Sequence, residues 1–135
     1  MNIPFLGKRR DSPPVRDAEG IAELLSECEL LRSQAGRDGV QLDDTAASLE
    51  GLDQLLPRWR GDEEVVHWLG NDAGLYLGTV IVRTVPGAAW EIWPDGQPVV
   101  RLASGREFDV VTSGHEWAES GVPELSQLYA EVAEA

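Results

Sequence analysis

The segment from Glu63 to Thr84 constrains the fold more than any other part of the chain. Gly61 and Asp62 open it, and Glu63 and Glu64 suit the first turn of a helix because carboxylates stabilise that end. Its apolar residues, from Val65 to Ile81, would point to nearly all sides of such a helix. A helix that is apolar most of the way round lies at the centre of a domain. The sequence therefore predicts a central helix over most of residues 63–83.

Three glycines recur at intervals of four residues within this segment, at Gly70, Gly74 and Gly78. That spacing places them on one face of a helix, where the missing side chains let another backbone approach closely. The spacing fits neither the Walker phosphate loop nor the dinucleotide fingerprint, and the chain has no lysine after Lys8. Asp72 would also repel a phosphate. We expect a packing seam that meets the strands or the first helix.

Helical spacing of apolar residues also precedes and follows the central segment. A stripe from Ile21 to Ala35 predicts a first helix that starts near Asp17, and capping residues before a leucine repeat predict a second one from about Asp43 to Trp59. A last helix is expected from Pro123.

The apolar period changes to two after Pro86-Gly87, which indicates strands. The candidates are Ala89–Trp93, Val99–Leu102 and Glu107–Val111, and the short connections between them require antiparallel neighbours. Residues 113–121 are expected to form a loop. The predicted fold is α+β: two N-terminal helices, a long central helix, a three-stranded antiparallel meander and a C-terminal helix.

Residues 1–16 are predicted to be a flexible basic arm, and residues 17–135 a single α+β domain. The arm has prolines and a glycine that interrupt regular structure, and it pairs apolar residues with three cations. These residues are Phe5, Leu6, Lys8, Arg9 and Arg10. They could make weak contact with an anionic membrane or with the acidic domain itself.

The formal net charge of −13 argues against nucleic acid as the main partner, because phosphate binding needs a basic face. It suits a basic protein partner, although an acidic surface also serves solubility alone. A single cysteine, Cys28, permits no internal disulfide. With no signal-peptide pattern and no apolar run of membrane-spanning length, the sequence predicts a cytoplasmic protein.

Catalytic residues, metal ligands and cofactor-binding motifs are not predicted. His67, His115 and Cys28 lack metal-ligand spacing, and no nucleophile elbow surrounds a serine. Ser113, His115, Glu116 and Ser120 could form a serine–histidine–carboxylate set on paper, but sequence neighbours rarely point at one another productively. Glu107 and Asp109 share one face of the predicted strand and could bind a cation or serve acid–base chemistry, but a strand with one solvent-exposed face has the same pattern.

Five side chains are candidate binding residues because they are aromatic or lie in the predicted loop: Trp59, Trp90, Trp93, His115 and Trp117. Trp59, between two arginines, could be an exposed stacking platform or could pack against a helix pair. We expect a non-enzymatic, acidic, cytoplasmic protein-interaction module of immunity or regulatory type. The alternative is a small-molecule-binding domain or enzyme that uses a pocket between the meander and the central helix.

Three stretches of the chain resemble a family of small proteins of unknown function from Streptomyces and related actinobacteria: SLEGLDQLLPRW, GNDAGLYLGTVIVRTVPGAAWEIWPDGQPVVRLASGREFDV and PELSQLYAEVAEA. The order of these motifs is more loosely similar to other bacterial domains, among them some immunity-type proteins. The looser pattern often has an acidic residue after Tyr-Leu-Gly, where this chain has Thr79. The resemblance implies no activity and no site residues.

Overall fold

The computed structural model of the protein describes residues 14–134, with side chains from Gly20 onward. The predicted arm residues Phe5, Leu6, Lys8, Arg9 and Arg10 lie outside the described residues. The elements, in chain order, are α1 (Pro14–Leu25), α2 (Glu29–Arg37), α3 (Ala46–Trp59), α4 (Glu63–Thr84), β1 (Ala89–Ile92), β2 (Pro98–Arg101), β3 (Glu107–Phe108), α5 (Val110–Ser120) and α6 (Leu125–Ala133). The predicted α+β class and the order of its parts are confirmed.

The central position of α4 is also confirmed. Asp62 caps it by accepting a hydrogen bond from the backbone N–H of Glu64 at 3.1 Å, and the helix continues without a break for 22 residues. Its middle, from Ala73 to Ile81, is buried apart from Leu75, which is half-buried. Helices α1, α2, α3, α5 and α6 and strands β1 and β2 all contact it. No helix among residues 14–134 is both long enough and apolar enough to cross a membrane.

The first predicted helix is two helices, because the backbone of Cys28 is left-handed, with φ 41°. The apolar stripe runs on through this break, so periodicity did not reveal it. Asp72 of α4 accepts a hydrogen bond from the N–H of Leu31 at 3.2 Å and so caps the start of α2. Arg32 donates to the carbonyls of Ser26 and Glu27 and holds the turn.

The predicted third strand and the predicted loop over residues 113–121 are wrong in part. Strand β3 ends at Phe108, and α5 begins at Val110. Asp109 accepts hydrogen bonds from the N–H of Thr112 at 3.1 Å and from its hydroxyl at 2.8 Å, which is a helix N-cap. The helix ends at Ser120, and the next residue, Gly121, has a φ of 82°, which suits glycine. Val110 and Val111 are β-branched and favour a strand locally, but the Asp109 cap and the burial of both valines against α4 stabilise a helix instead.

The sheet is the predicted meander, with strand order β1-β2-β3 and both pairs antiparallel. Trp90 pairs with Val100, and Val100 pairs with Phe108, so these three residues share one face. Val99 and Val100 are buried, and Trp90 and Phe108 are half-buried. This short sheet covers one side of α4 near its C-terminal half.

The glycines of α4 form the predicted packing seam. A Cβ on Gly74 would lie 2.7 Å from the Cα of Val111, and a Cβ on Gly78 would lie 2.9 Å from a ring carbon of Trp90. On the facing helix, a Cβ on Gly114 would lie 2.7 Å from the Cα of Gly74. The seam therefore meets β1 at one end, as expected, and α5 along the rest. The close backbone approach of α4 and α5 is possible because both helices lack side chains there.

Candidate functional site

Two of the five candidate binding residues, Trp59 and Trp117, lie in the core. Trp59 is 2% exposed, and its indole N–H donates to Asp38 at 2.7 Å. Trp117 is 0% exposed, and its indole N–H donates to Asp53 at 2.8 Å. Their rings pack between helices and present no face to a ligand. For Trp59 this corresponds to helix packing, the second of the two readings that the sequence allowed.

Asp53 is the acceptor that joins three helices, and sequence reasoning missed it. Besides the indole of Trp117, it accepts hydrogen bonds from the N–H of Leu125 at 2.9 Å, the N–H of Ser126 at 3.1 Å and the hydroxyl of Ser126 at 2.7 Å. It thereby caps α6 from α3 and fixes Trp117 of α5. An aspartate beside a leucine on an amphipathic helix looks like a solvent-exposed residue, so local sequence gave no signal.

Trp90 and Trp93 have different surroundings. Trp90 lines a pocket of about 220 Å³ between α1, α4 and β1, together with Ser26, Thr79 and Arg83. Trp93 donates its indole N–H to Glu107 across the sheet at 3.1 Å. The pocket between the meander and the central helix is thus small. Trp90 lines this pocket, and the other four candidate binding residues are not among its described lining residues.

A network of polar side chains joins α2, α3 and α4 around Asp44. Its carboxylate pairs with Arg32 at 2.9 Å and with Arg83 at 3.2 Å, and its N–H donates to the hydroxyl of Tyr76 at 2.8 Å. That hydroxyl also shares a 2.6 Å hydrogen bond with Ser48. Burial raises the pKa of Tyr76, so the phenol is neutral. These polar groups satisfy one another, which favours a structural role over catalysis.

Cys28 has the surroundings of a core thiol. It is buried, and burial followed by the nearby charge of Asp72 raises its pKa to about 12. Since the thiolate is the nucleophile and the metal ligand, this cysteine is inert at neutral pH. Among residues 20–134, histidine, cysteine and carboxylate side chains form no cluster of three that could hold a metal ion.

A groove runs beside the seam between α4 and α5, which are antiparallel because Gly70 faces His115 while Gly74 faces Val111. It has a volume of about 350 Å³, and we refer to it as the α4–α5 groove. Its lining includes Val66 and Gly70 of α4 and His115, Glu116, Ala118 and Glu119 of α5. Val66 is 42% exposed, and the side chains of His115, Glu116 and Glu119 are exposed. His115 is therefore the one candidate binding residue in this groove.

The charge around this groove is strongly negative. From Glu107 to the end of the chain there are seven acidic residues and no lysine or arginine. Elsewhere on the described surface, four arginines pair with carboxylates of the chain itself: Arg32, Arg58, Arg83 and Arg101. Four of the seven arginines among residues 20–134 are thus paired within the chain, whereas the segment that contains α5 and α6 has carboxylates and no cation of its own.

The model of a family of unknown function, DUF6278, matches residues 1–135. No curated protein and no solved structure matches the chain.

Proposed function

The chain belongs to this family of unknown function, so its function has to be argued from its own residues, and we propose that it is a non-enzymatic module that binds a basic protein partner. The observation that supports this proposal is the separation of charge. Residues 107–134, which include β3, α5 and α6, carry seven carboxylates without a lysine or arginine, while four arginines elsewhere pair with carboxylates of the chain itself. A negatively charged surface attracts a positively charged partner, and it repels nucleic acid and anionic lipid because these are also negative.

The positions of the polar side chains also favour binding over catalysis. Ser113, His115, Glu116 and Ser120 all lie on α5, within about two helical turns. The hydroxyl of Ser120 donates to the carbonyl of Glu116 at 3.0 Å and is within 2.9 Å of the carbonyl of Val122. A serine nucleophile needs a histidine acceptor instead, so this set does not support acyl-transfer chemistry.

The alternative of a small-molecule site has less support. The pocket at Trp90, about 220 Å³, is smaller than the usual sites for drug-sized ligands, which begin at roughly 300 Å³. Arg83, which lines it, already pairs with Asp44. A ligand there would have to compete with that ion pair.

A more specific form of the proposal is an immunity or antitoxin-like protein of actinobacterial origin that acts in the cytoplasm. Its acidic surface would cover a basic toxin. The gene next to its own should then encode a toxin, and a housekeeping gene in that place would count against this form.

The general proposal is tested by affinity capture from cells of the source organism, followed by binding measurements with the purified partner. We expect one reproducible, basic protein whose affinity falls as salt screens the charges. A matched bait in which Glu116, Glu119, Glu131 and Glu134 are replaced by Gln should recover less of it. Absence of a reproducible partner, or a partner whose affinity is the same for both baits and independent of salt, would contradict the proposal.

A further inference from the structure

We propose that the α4–α5 groove is the docking site, and that it takes a short basic segment of the partner protein in which one bulky apolar side chain lies between lysines or arginines. This inference rests on the proposed function and adds the place and the recognition chemistry.

The apolar part of the site is the floor of the groove on α4. Val66 is 42% exposed and lies one helical turn before Gly70, over which the imidazole of His115 from α5 packs. Ala118 of α5 lines the same groove and is half-buried. Val66 and Ala118, beside the His115 ring, form a partly apolar floor on which one leucine-sized side chain can lie, and covering Val66 would remove apolar surface from water.

The charged part of the site is the rim on α5. Glu116 and Glu119 line the groove and are exposed, and Glu63 lies three residues before Val66 on α4, on the same side of the helix. The C-terminal end of α5 adds the negative end of a helix dipole. Arg60 is a nearby cation, and it donates to the backbone carbonyl of Glu119 at 3.1 Å. Three carboxylates against one arginine leave the rim negative.

Charge decides between the possible occupants. A second copy of this chain carries a net charge of −13 and would present carboxylates to carboxylates. Nucleic acid and anionic lipid surfaces are repelled for the same reason. A basic segment of another protein is favoured because its cations can reach the rim while its apolar side chain enters the groove.

The experiment measures the binding of two fluorescein-labelled peptides to the full chain by fluorescence anisotropy at low salt. One peptide has a single leucine between arginines and lysines, and the other has serine in place of the leucine. A Glu116→Gln, Glu119→Gln variant removes two charges from the groove. A Glu27→Gln, Glu50→Gln variant is the matched control, because it removes two exposed charges from the α1–α2 turn and from α3, outside the acidic surface of α5 and α6.

We expect the groove variant to bind the leucine peptide about tenfold more weakly than the wild type, and the control variant to bind within about twofold of it. Val66→Ser should remove the preference for the leucine peptide over the serine peptide. Ile92→Ser is its control, since Ile92 is also 42% exposed but lies on β1. It should keep the preference.

The outcomes separate the two proposals. If the wild type binds neither peptide, binding of basic partners is refuted. If the wild type binds but the two Gln variants lose affinity equally, the groove is not the site, whereas the general proposal stands. If a Lys8→Ser, Arg9→Ser, Arg10→Ser chain binds the leucine peptide more tightly than the wild type, the chain's own cations occupy the groove, and its assignment to a partner is overturned.

Discussion

Replacement of Gly74 by alanine tests the packing of the whole domain with a single methyl group. In an isolated helix this change is favourable by about 1 kcal/mol, because glycine loses more backbone entropy than alanine. In this fold the new Cβ would lie 2.7 Å from the Cα of Val111 and 2.9 Å from the carbonyl carbon of Val110. Both are backbone atoms, so no side-chain rotation can relieve the contact.

The loss of stability follows from the movement of α4 and α5 that would relieve this contact. Carbon atoms pack at about 3.5–4.0 Å, so α4 and α5 must move apart by roughly 1 Å at their closest point. Overpacking a filled interior costs about 1–3 kcal/mol, and a contact between two backbones belongs at the upper end of that range. After the gain in helix propensity, we expect a net loss of about 2 kcal/mol, which lowers the melting temperature by roughly 6 °C. Gly74→Leu should cost more and can prevent folding.

The assay is thermal and urea unfolding followed by far-UV circular dichroism. Gly36→Ala is the matched control, because Gly36 is an exposed glycine in α2 and a Cβ there meets nothing within 4 Å. It should leave the melting temperature unchanged or raise it. If Gly74→Ala melts at or above the wild-type temperature, the α4 face is open and the description of the seam is wrong. The question of a ligand on that face would then return.

Three further predictions test the capping residues and the cysteine. Asp53→Ala should lower the free energy of unfolding by about 3 kcal/mol, because it leaves the buried indole of Trp117 and the first N–H groups of α6 without their acceptor. Asp53→Asn should lower it less. Equal urea midpoints for Asp53→Ala and the wild type would refute this role of Asp53. For Asp109, burial raises the pKa, but the hydrogen bonds from Thr112 and Gln97 outweigh it and hold the pKa below 3.8. The stabilisation by this carboxylate is therefore present above pH 3.8 and is lost as the pH falls through the lowered value, so the difference in melting temperature between the wild type and Asp109→Asn should persist at neutral pH and shrink as the pH is taken progressively below 3.8. With its pKa at about 12, Cys28 should react with iodoacetamide at least about a thousandfold more slowly in the folded chain than in urea, as followed by mass spectrometry, and fast native labelling would show that the thiol is accessible.

The roles of Asp53, Asp72 and Asp109 show where sequence reasoning reached its limit. Each of them looks like an ordinary acidic residue, yet each caps a helix, and for Asp53 and Asp72 that helix is distant in sequence. The carboxylate of Asp72 meets the N-terminus of α2, 41 residues earlier, and that of Asp53 meets the N-terminus of α6, 72 residues later. Only Asp109, which caps its own helix through Thr112, had a local signal that the sequence analysis could have used.

The sequence by itself determined the central helix, the glycine face and the antiparallel meander, because apolar period, glycine spacing and loop length are local properties of a chain. The tertiary structure decided that Cys28 breaks the first helix, that residues 110–120 are helical, and that Trp59 and Trp117 are core residues rather than binding residues. It also decided that a groove with carboxylates on its rim lies beside the seam. The reason is that caps, helix-to-helix contacts and grooves depend on groups from distant parts of the chain, which no local pattern places next to each other.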